Sequence, residues 1–443
     1  MIRKLEDVNM SHAFPEVAFD EDYIIATYQA RVKTSNVERL AMALADEQTT
    51  GTWIKVSHET ADKKKKFGAK VVSIYEVPDT GNDVVEDLPP IYIIQVAFPI
   101  RNIGTSIPMM LSTVFGNISA SGMVKWIDVA FPRRYVEQFQ GPKFGVEGMR
   151  EVLGVPDRPL LNAMIKPNIG WTPDEGAELF YEAACGGVDI IKDDELMPAN
   201  EDFCPLEERV KKFMAMEKRA YEETGEHTLY AVNITDSIDK LKDNAKRAID
   251  LGANCIMVNA YTAGQAALKM LADDPEINVP ILAHSDYVGA TVAGTYVGVN
   301  PALLMGKITR LCGGDFEING HPWGKFPIPY KMFARSFRAF TQPWWNIKPM
   351  MYAVSGGTTQ LIVKNAIDAC GTDIILAAGG AVHGHPEGSR AGAKSMRQAI
   401  DAAVKGIDLV QYAKEQAAEG HDELLKMAQM LNPDIKKNFD LME

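Results

Sequence analysis

The sequence predicts an α/β protein: a closed (β/α)8 TIM barrel, preceded by an N-terminal α+β domain and followed by a C-terminal helical extension. Three observations lead there. From about residue 158, short apolar runs alternate with amphipathic helical stretches over roughly 250 residues, the span such a barrel requires. Residues 1–140 follow a different, mixed rhythm. From about residue 388 the chain is charged and helical, with no further strand pattern. At 443 residues the chain exceeds one ordinary core, so we expect two domains, 1–140 and 141–443, divided near Gly141-Pro142-Lys143.

In the N-terminal part, Ser35–Asp46 has helical spacing, with a capping serine and the apolar set Val37, Leu40, Ala41 and Leu44. Ile91–Phe98 is rich in β-formers. The four lysines Lys63–Lys66 read as a solvated loop. Eight strand candidates then follow: Leu160–Lys166, Val188–Glu195, Leu229–Thr235, Cys255–Ala260, Pro280–His284, Phe316–Asn319, Met351–Ser355 and Ile374–Ala378. The first intervening helix carries clear end signals. Thr172 caps it, Pro173 opens its first turn, Asp174 and Glu175 suit the dipole, and Gly186 ends it.

A 46% hydrophobic content with 24% charged residues is that of a soluble globular chain. The net charge of −13 argues against a nucleic-acid partner, though a local metal or basic cluster still permits an anionic substrate. The five cysteines are scattered and odd in number, which suggests reduced thiols in a cytoplasm. No signal peptide opens the chain, and no apolar run is long enough to span a bilayer. The methionines and the pair Trp344-Trp345 read as packing residues.

The chain is organised around Gly186-Gly187-Val188-Asp189-Ile190-Ile191-Lys192-Asp193-Asp194-Glu195. It starts as a buried parallel strand and ends in one lysine and three carboxylates, a charge set too costly to bury unpaired. A divalent cation on oxygen ligands would compensate it, and a structural ion-pair network is the alternative. Strand alternation sends Lys192 and Asp194 one way, Asp193 and Glu195 the other, unless the chain leaves the strand and turns Glu195 back. Active sites of such barrels gather at the C-terminal strand ends. Those ends supply Lys166, the Lys192 group, Asn233, Asn259, His284, Asn319, Ser355 and Gly379-Gly380. Lys166, partly desolvated near a metal, could act as a base, or simply as a counter-charge to the carboxylates. His284 taken alone reads more as a satisfied polar core residue than as a catalytic one. Ser355-Gly356-Gly357 and Gly379-Gly380 follow strands seven and eight, where backbone N–H groups often hold phosphate. Gly320-His321-Pro322-Trp323-Gly324-Lys325 is either a mobile lid carrying a cation or a plain surface loop.

At these residues the chain resembles the large subunit of ribulose-bisphosphate carboxylase (RuBisCO), over nearly its whole length and in motif order. The resemblance implies a carbamylated lysine that joins an aspartate and a glutamate on Mg2+; here these are Lys192, Asp194 and Glu195. It makes Lys166, in Met164-Ile165-Lys166-Pro167, the enolising base, with His284 a substrate contact. Glu47 to Trp53 is similar to a segment that reaches the neighbouring subunit's active site, where Thr52 and Trp53 help to hold one phosphate. Gly116-Asn117 matches a second such segment, whose asparagine contacts substrate near the metal. Lys325 falls on the closing lysine of the family's mobile loop, and Ser355, Gly356, Gly357, Gly379 and Gly380 on its substrate and phosphate loops. A homodimer, or an assembly of dimers, is implied.

Three departures matter. The family's second lysine after the proline is Asn168, the arginine after the strand-five histidine is Ser285, and the second histidine of one phosphate site is Ile318. That site has lost its cation, and each charge-assisted hydrogen bond lost there is worth about 1.5–3 kcal/mol. The resemblance is thus to RuBisCO-like proteins, which do not fix carbon dioxide. It implies a Mg-dependent lyase or isomerase that forms an enediolate from a phosphorylated keto sugar or keto sugar acid. Asn117, where methionine-salvage enolases are expected to carry lysine, and Lys325 lean the expectation toward decarboxylation or transcarboxylation/hydrolysis of a 3-oxo sugar-acid phosphate. The alternatives are a methionine-salvage enolase or isomerase of a 5-methylthio sugar phosphate, a non-catalytic stress-linked scaffold, and a true bisphosphate carboxylase.

Overall fold

The computed structural model describes residues 17, 19–52, 54, 56–78 and 88–439, of which 432–439 as helical backbone only. The chain forms two compact units. The first holds residues 1–140, 287–312 and 344–347, the second residues 141–286, 313–343 and 348–443.

In the first unit, β1 (Tyr23–Arg31), β2 (Lys70–Glu76), β3 (Ile91–Pro99) and β4 (Val124–Ala130) form an antiparallel sheet. The predicted helix is present as Val37–Asp46, with Val37, Ala41, Met42, Leu44 and Ala45 buried. The four lysines correct the expectation of a loop, since Ala61–Phe67 is a helix. Thr60 caps it by accepting from the Lys63 N–H, and Lys64 pairs with Glu59 at 2.5 Å. A good cap with a basic last turn supports a helix that has no buried face.

The second unit is the barrel. Its strands are β5 (Leu160–Met164), β6 (Ile190–Lys192), β7 (Leu229–Asn233), β8 (Cys255–Asn259) and β9 (Ile281–His284). After β10 (Gly298–Val299), which pairs in parallel with β4 in the first unit, come β11 (Phe316–Asn319), β12 (Met351–Val354) and β13 (Ile374–Ala377). Every neighbouring barrel pair is parallel, and β13 returns to β5 to close the ring. Each of these eight strands lies within, or one residue from, its sequence-predicted run. The predicted Val188–Glu195 shrinks to Ile190–Lys192, because the three carboxylates leave the ladder.

The predicted first helix is Pro173–Cys185, with a complete capping box: Thr172 accepts from the Glu175 N–H while Glu175 accepts from the Thr172 N–H. The C-terminal extension forms helices Ser389–Val404, Leu409–Ala418 and Glu423–Phe439. Leu160, Ile190, Leu229, Cys255, Leu282, Phe316, Met351 and Ile375 share one core cluster, one residue from each barrel strand. Strands alternate faces, so residues two and four further along point the same way, toward the C-terminal mouth. That rule alone aims Lys192, Asn233, Asn259, His284, Ile318, Ser355 and Gly379 inward.

Candidate active site

Of those inward positions, Lys192, His284, Ile318, Ser355 and Gly379 meet in a cavity of ≈ 650 Å³, whose lining does not include Asn233 or Asn259. Lys166, Asn168, Lys192, Glu195, His284, Lys325, Ser355, Gly356, Gly357, Gly379 and Gly380 all line it. Thr52 and Asn117 lie in the first unit, Thr52 exposed and Asn117 opening a 3-10 turn, Asn117–Ala120. Trp53 lies outside the described residues.

The three carboxylates after Lys192 have three different surroundings. Asp193 points away from the barrel axis. It accepts from Arg209 Nε at 3.1 Å, Tyr230 Oη at 2.7 Å and the Asn233 N–H at 2.9 Å, all buried. The structural ion-pair reading therefore holds for Asp193. Asp194, also buried, accepts from Lys166 Nζ at 2.7 Å through Oδ2. Glu195 has left the strand and turned back into the cavity, with Oε2 3.2 Å from Lys192 Nζ and 3.3 Å from His284 Nε2. Asn233 and Asn259 fix that turn by donating their side-chain N–H groups to the Glu195 carbonyl at 3.2 and 3.0 Å.

Electrostatics follow from burial. Burial pulls the Lys192 amine below its ordinary value, partly opposed by Glu195 and Asp194. Burial raises the Glu195 carboxyl, but the His284 hydrogen bond and the Lys192 charge outweigh it and hold the carboxylate well below its usual range. Burial, then the Lys192 charge, keeps the His284 imidazole below its ordinary value. Its Nδ1 accepts from the Asp286 N–H at 3.1 Å, so the proton of the neutral ring sits on Nε2 and is donated to Glu195.

The family resemblance implies a divalent cation, and the residues present fit it through one modification. Among the described residues no three His, Cys, Asp or Glu groups are placed to hold a metal. The family resemblance assigns the third oxygen donor to a carbamate on Lys192. Its amine is buried beside Glu195 and two residues before Asp194, and its lowered pKa favours the neutral form that can take up carbon dioxide. A carbamate there would complete a three-oxygen anionic set suited to Mg2+.

Two glycine positions explain how the cations approach. A Cβ on Gly379 would lie 3.0 Å from Lys166 Cε, and one on Gly357 only 2.6 Å from the Lys325 N–H nitrogen. Lys166 Nζ is also 2.7 Å from Asn168 Oδ1, so the residue that replaces the family's second lysine orients the first. Apolar side chains share the lining: Met164, Ile318, Phe326, Met427, Met430 and Leu431. Sequence reasoning missed Met427 and Met430. They lie on the helix Glu423–Phe439, and their spacing says only that one face packs, not against what.

Known proteins resemble this chain over most of its length. The sequence matches the description "Ribulose bisphosphate carboxylase large chain, catalytic domain" over residues 145–327 and 330–426, and that family's N-terminal domain over residues 15–135. A ribulose bisphosphate carboxylase-like protein of Archaeoglobus fulgidus is 47% identical over 94% of this chain and 95% of its own. A 2,3-diketo-5-methylthiopentyl-1-phosphate enolase of Geobacillus thermodenitrificans is 36% identical over 89% of this chain and 96% of its own. The crystal structure of a rubisco-like protein (MtnW) from Alicyclobacillus acidocaldarius superposes with a TM-score of 0.84 at 33% identity, covering 92% of this chain and 99% of that one.

Proposed function

This chain belongs to the ribulose bisphosphate carboxylase large-chain family, as a RuBisCO-like member, and from that premise we propose that it enolises a monophosphorylated keto compound with an apolar far end. The cavity lining carries the reading: lysines, a carboxylate and glycine loops share it with methionine, isoleucine, leucine and phenylalanine side chains. A second phosphate facing Ile318 would find no cation, whereas an alkyl or thioether group would lose its water there favourably.

In this reading Lys166 removes the proton next to the carbonyl, held by Asp194 and Asn168. Lys192 as its carbamate, Asp194 and Glu195 would hold Mg2+, whose charge stabilises an enediolate oxygen. Neutral His284 orients Glu195 and presents its ring to the substrate. The N–H groups of Gly356, Gly357, Gly379 and Gly380, with the Ser355 hydroxyl, take the phosphate. Lys325 closes over the carbonyl end. Thr52, Trp53 and Asn117 would serve the site of a neighbouring subunit in a homodimer, in the cytoplasm.

The apolar part of the lining shifts the balance between the two reactions weighed from sequence. It favours the methylthio-type enolase over the sugar-acid reaction, in line with the names of relatives about a third identical. The sugar-acid reading keeps one observation, Lys325 at the cavity, which could hold a carboxylate.

The test is α-proton exchange into D2O, followed by NMR, with Mg2+ and bicarbonate. The two probes are a 5-methylthio diketo 1-phosphate and a 3-oxo sugar-acid 4-phosphate. We expect exchange with the first, lowered by roughly 10²–10⁴-fold in Lys166→Met. Exchange with the second alone would establish the other reaction. Exchange with neither would refute the enolisation reading.

A further inference from the structure

We propose that His321 is a positioning residue, a latch that fastens the loop Gly320–Lys325 to the loop Ser355–Thr359 and so holds Lys325 at the cavity. Asn319 and Val354 are paired at the ends of β11 and β12, so the two loops leave the barrel side by side. His321 is fully buried between them.

Its ring has one consistent protonation. The Trp323 N–H donates to Nδ1 at 3.2 Å, so that nitrogen carries a lone pair. The proton of the neutral ring is then on Nε2, 3.3 Å from Thr358 Oγ1. Thr358 sends its own hydroxyl proton to the Val354 carbonyl at 2.8 Å, which leaves its oxygen free to accept. Burial pushes the imidazole down to about 4, in keeping with a neutral ring. Pro322 restricts His321 to extended backbone, and the Trp323 ring packs against the imidazole at 5.9 Å.

Beyond the ring, the Lys325 N–H donates to the Gly356 carbonyl at 2.7 Å. A Cβ on Gly324 would lie 2.3 Å from that carbonyl oxygen and 2.9 Å from His321 Nε2. The loops therefore touch backbone to backbone, and the imidazole is the side-chain bolt beside that contact. The latch rests on this geometry. Its effect on turnover rests on the proposed function, through Lys325.

Limited trypsin cleavage of the full chain tests the latch without any substrate. The Lys325–Phe326 bond reports opening of the loop, and Lys331–Met332, in the helix Tyr330–Thr341, reports general loosening. Removing one buried hydrogen bond should raise the ratio of the two rates about three- to tenfold, in both Thr358→Val and His321→Ala. His321→Gln, whose amide can accept from Trp323 and donate to Thr358, should restore it. An unchanged ratio in Thr358→Val, which leaves the ring in place, would overturn the latch, and so would equal acceleration at both bonds. The positioning role has its own readout in proton exchange. Thr358→Val should lower kcat/KM in the wild-type background and cost nothing further in Lys325→Ala; equal losses in both would overturn it. No exchange by the wild type would sink the proposed function while the cleavage ratio still decides the latch.

Discussion

Glu317 offers a measurable prediction on the wall of the barrel. It sits on the outward face of β11, one residue from Ile318, and is fully buried. Tyr261 Oη donates to its Oε1 at 2.7 Å, and Oε2 has no partner among the described residues. Burial holds the carboxyl well above its ordinary value, only partly opposed by that hydrogen bond. The folded chain therefore keeps Glu317 protonated where the unfolded chain ionises it. Its contribution to stability is complete below about pH 4.5 and is lost as pH rises toward the folded value. The loss runs at about 1.4 kcal/mol per pH unit between the unfolded and the folded value. Glu317→Gln keeps the acceptor for Tyr261 and removes the titration. Other groups also titrate on unfolding, so the quantity to measure is the difference between wild type and Glu317→Gln in urea unfolding at each pH. The variant should gain on the wild type steadily with pH. A plateau would mark the folded pKa, and parallel curves would refute a protonated Glu317.

Two further predictions concern the cavity. With 13C-bicarbonate and Mg2+, the wild type should show a carbamate carbon resonance that is absent in Lys192→Ala; its absence from the wild type would remove the third metal ligand. Met430 lines the cavity but is 40% exposed, so Met430→Lys should raise KM for the methylthio probe about three- to tenfold with kcat little changed, a fraction of the ~1.5–3 kcal/mol of a fully buried side chain; an unchanged KM would detach the C-terminal helix from substrate binding.

Much of the barrel was legible because parallel strands buried on both faces read as continuous apolar runs, and the glycines and caps between them are local signals. Strand ends were less legible. Val188–Glu195 overran because hydrophobic pattern locates the buried part of a strand but not where its ladder stops. The lysine helix was missed for the opposite reason: its stability comes from the Thr60 cap and charge placement, with no apolar stripe to read. Met427, Met430 and the ring of His321 depend on contacts between residues distant in sequence, and no spacing rule reports those. His321 was visible as part of a loop motif, but its tautomer follows only from Trp323 on one side and Thr358 on the other.

The site also shows why strand alternation alone would have misassigned it. Strict alternation pairs Asp193 with Glu195 on one face. Had the strand continued, Glu195 would have followed Asp193 outward and left Lys192 facing a single carboxylate. The ladder instead stops at Lys192, and the Asn233 and Asn259 amides capture the Glu195 carbonyl. Asp193 remains outside, where Arg209 and Tyr230 neutralise it. The break thus divides three adjacent acids into one that anchors the strand, one that pairs with Lys166 and one that turns into the cavity. It follows that removing the anchor, as in Asp193→Asn, perturbs the barrel through Arg209, which would be left buried without its counter-charge. Under the proposed function, changing Asp194 or Glu195 should instead lower proton exchange and leave the barrel intact. Three neighbouring residues of one charge type therefore separate into different phenotypes, and the separation comes from the strand end, not from the residues themselves.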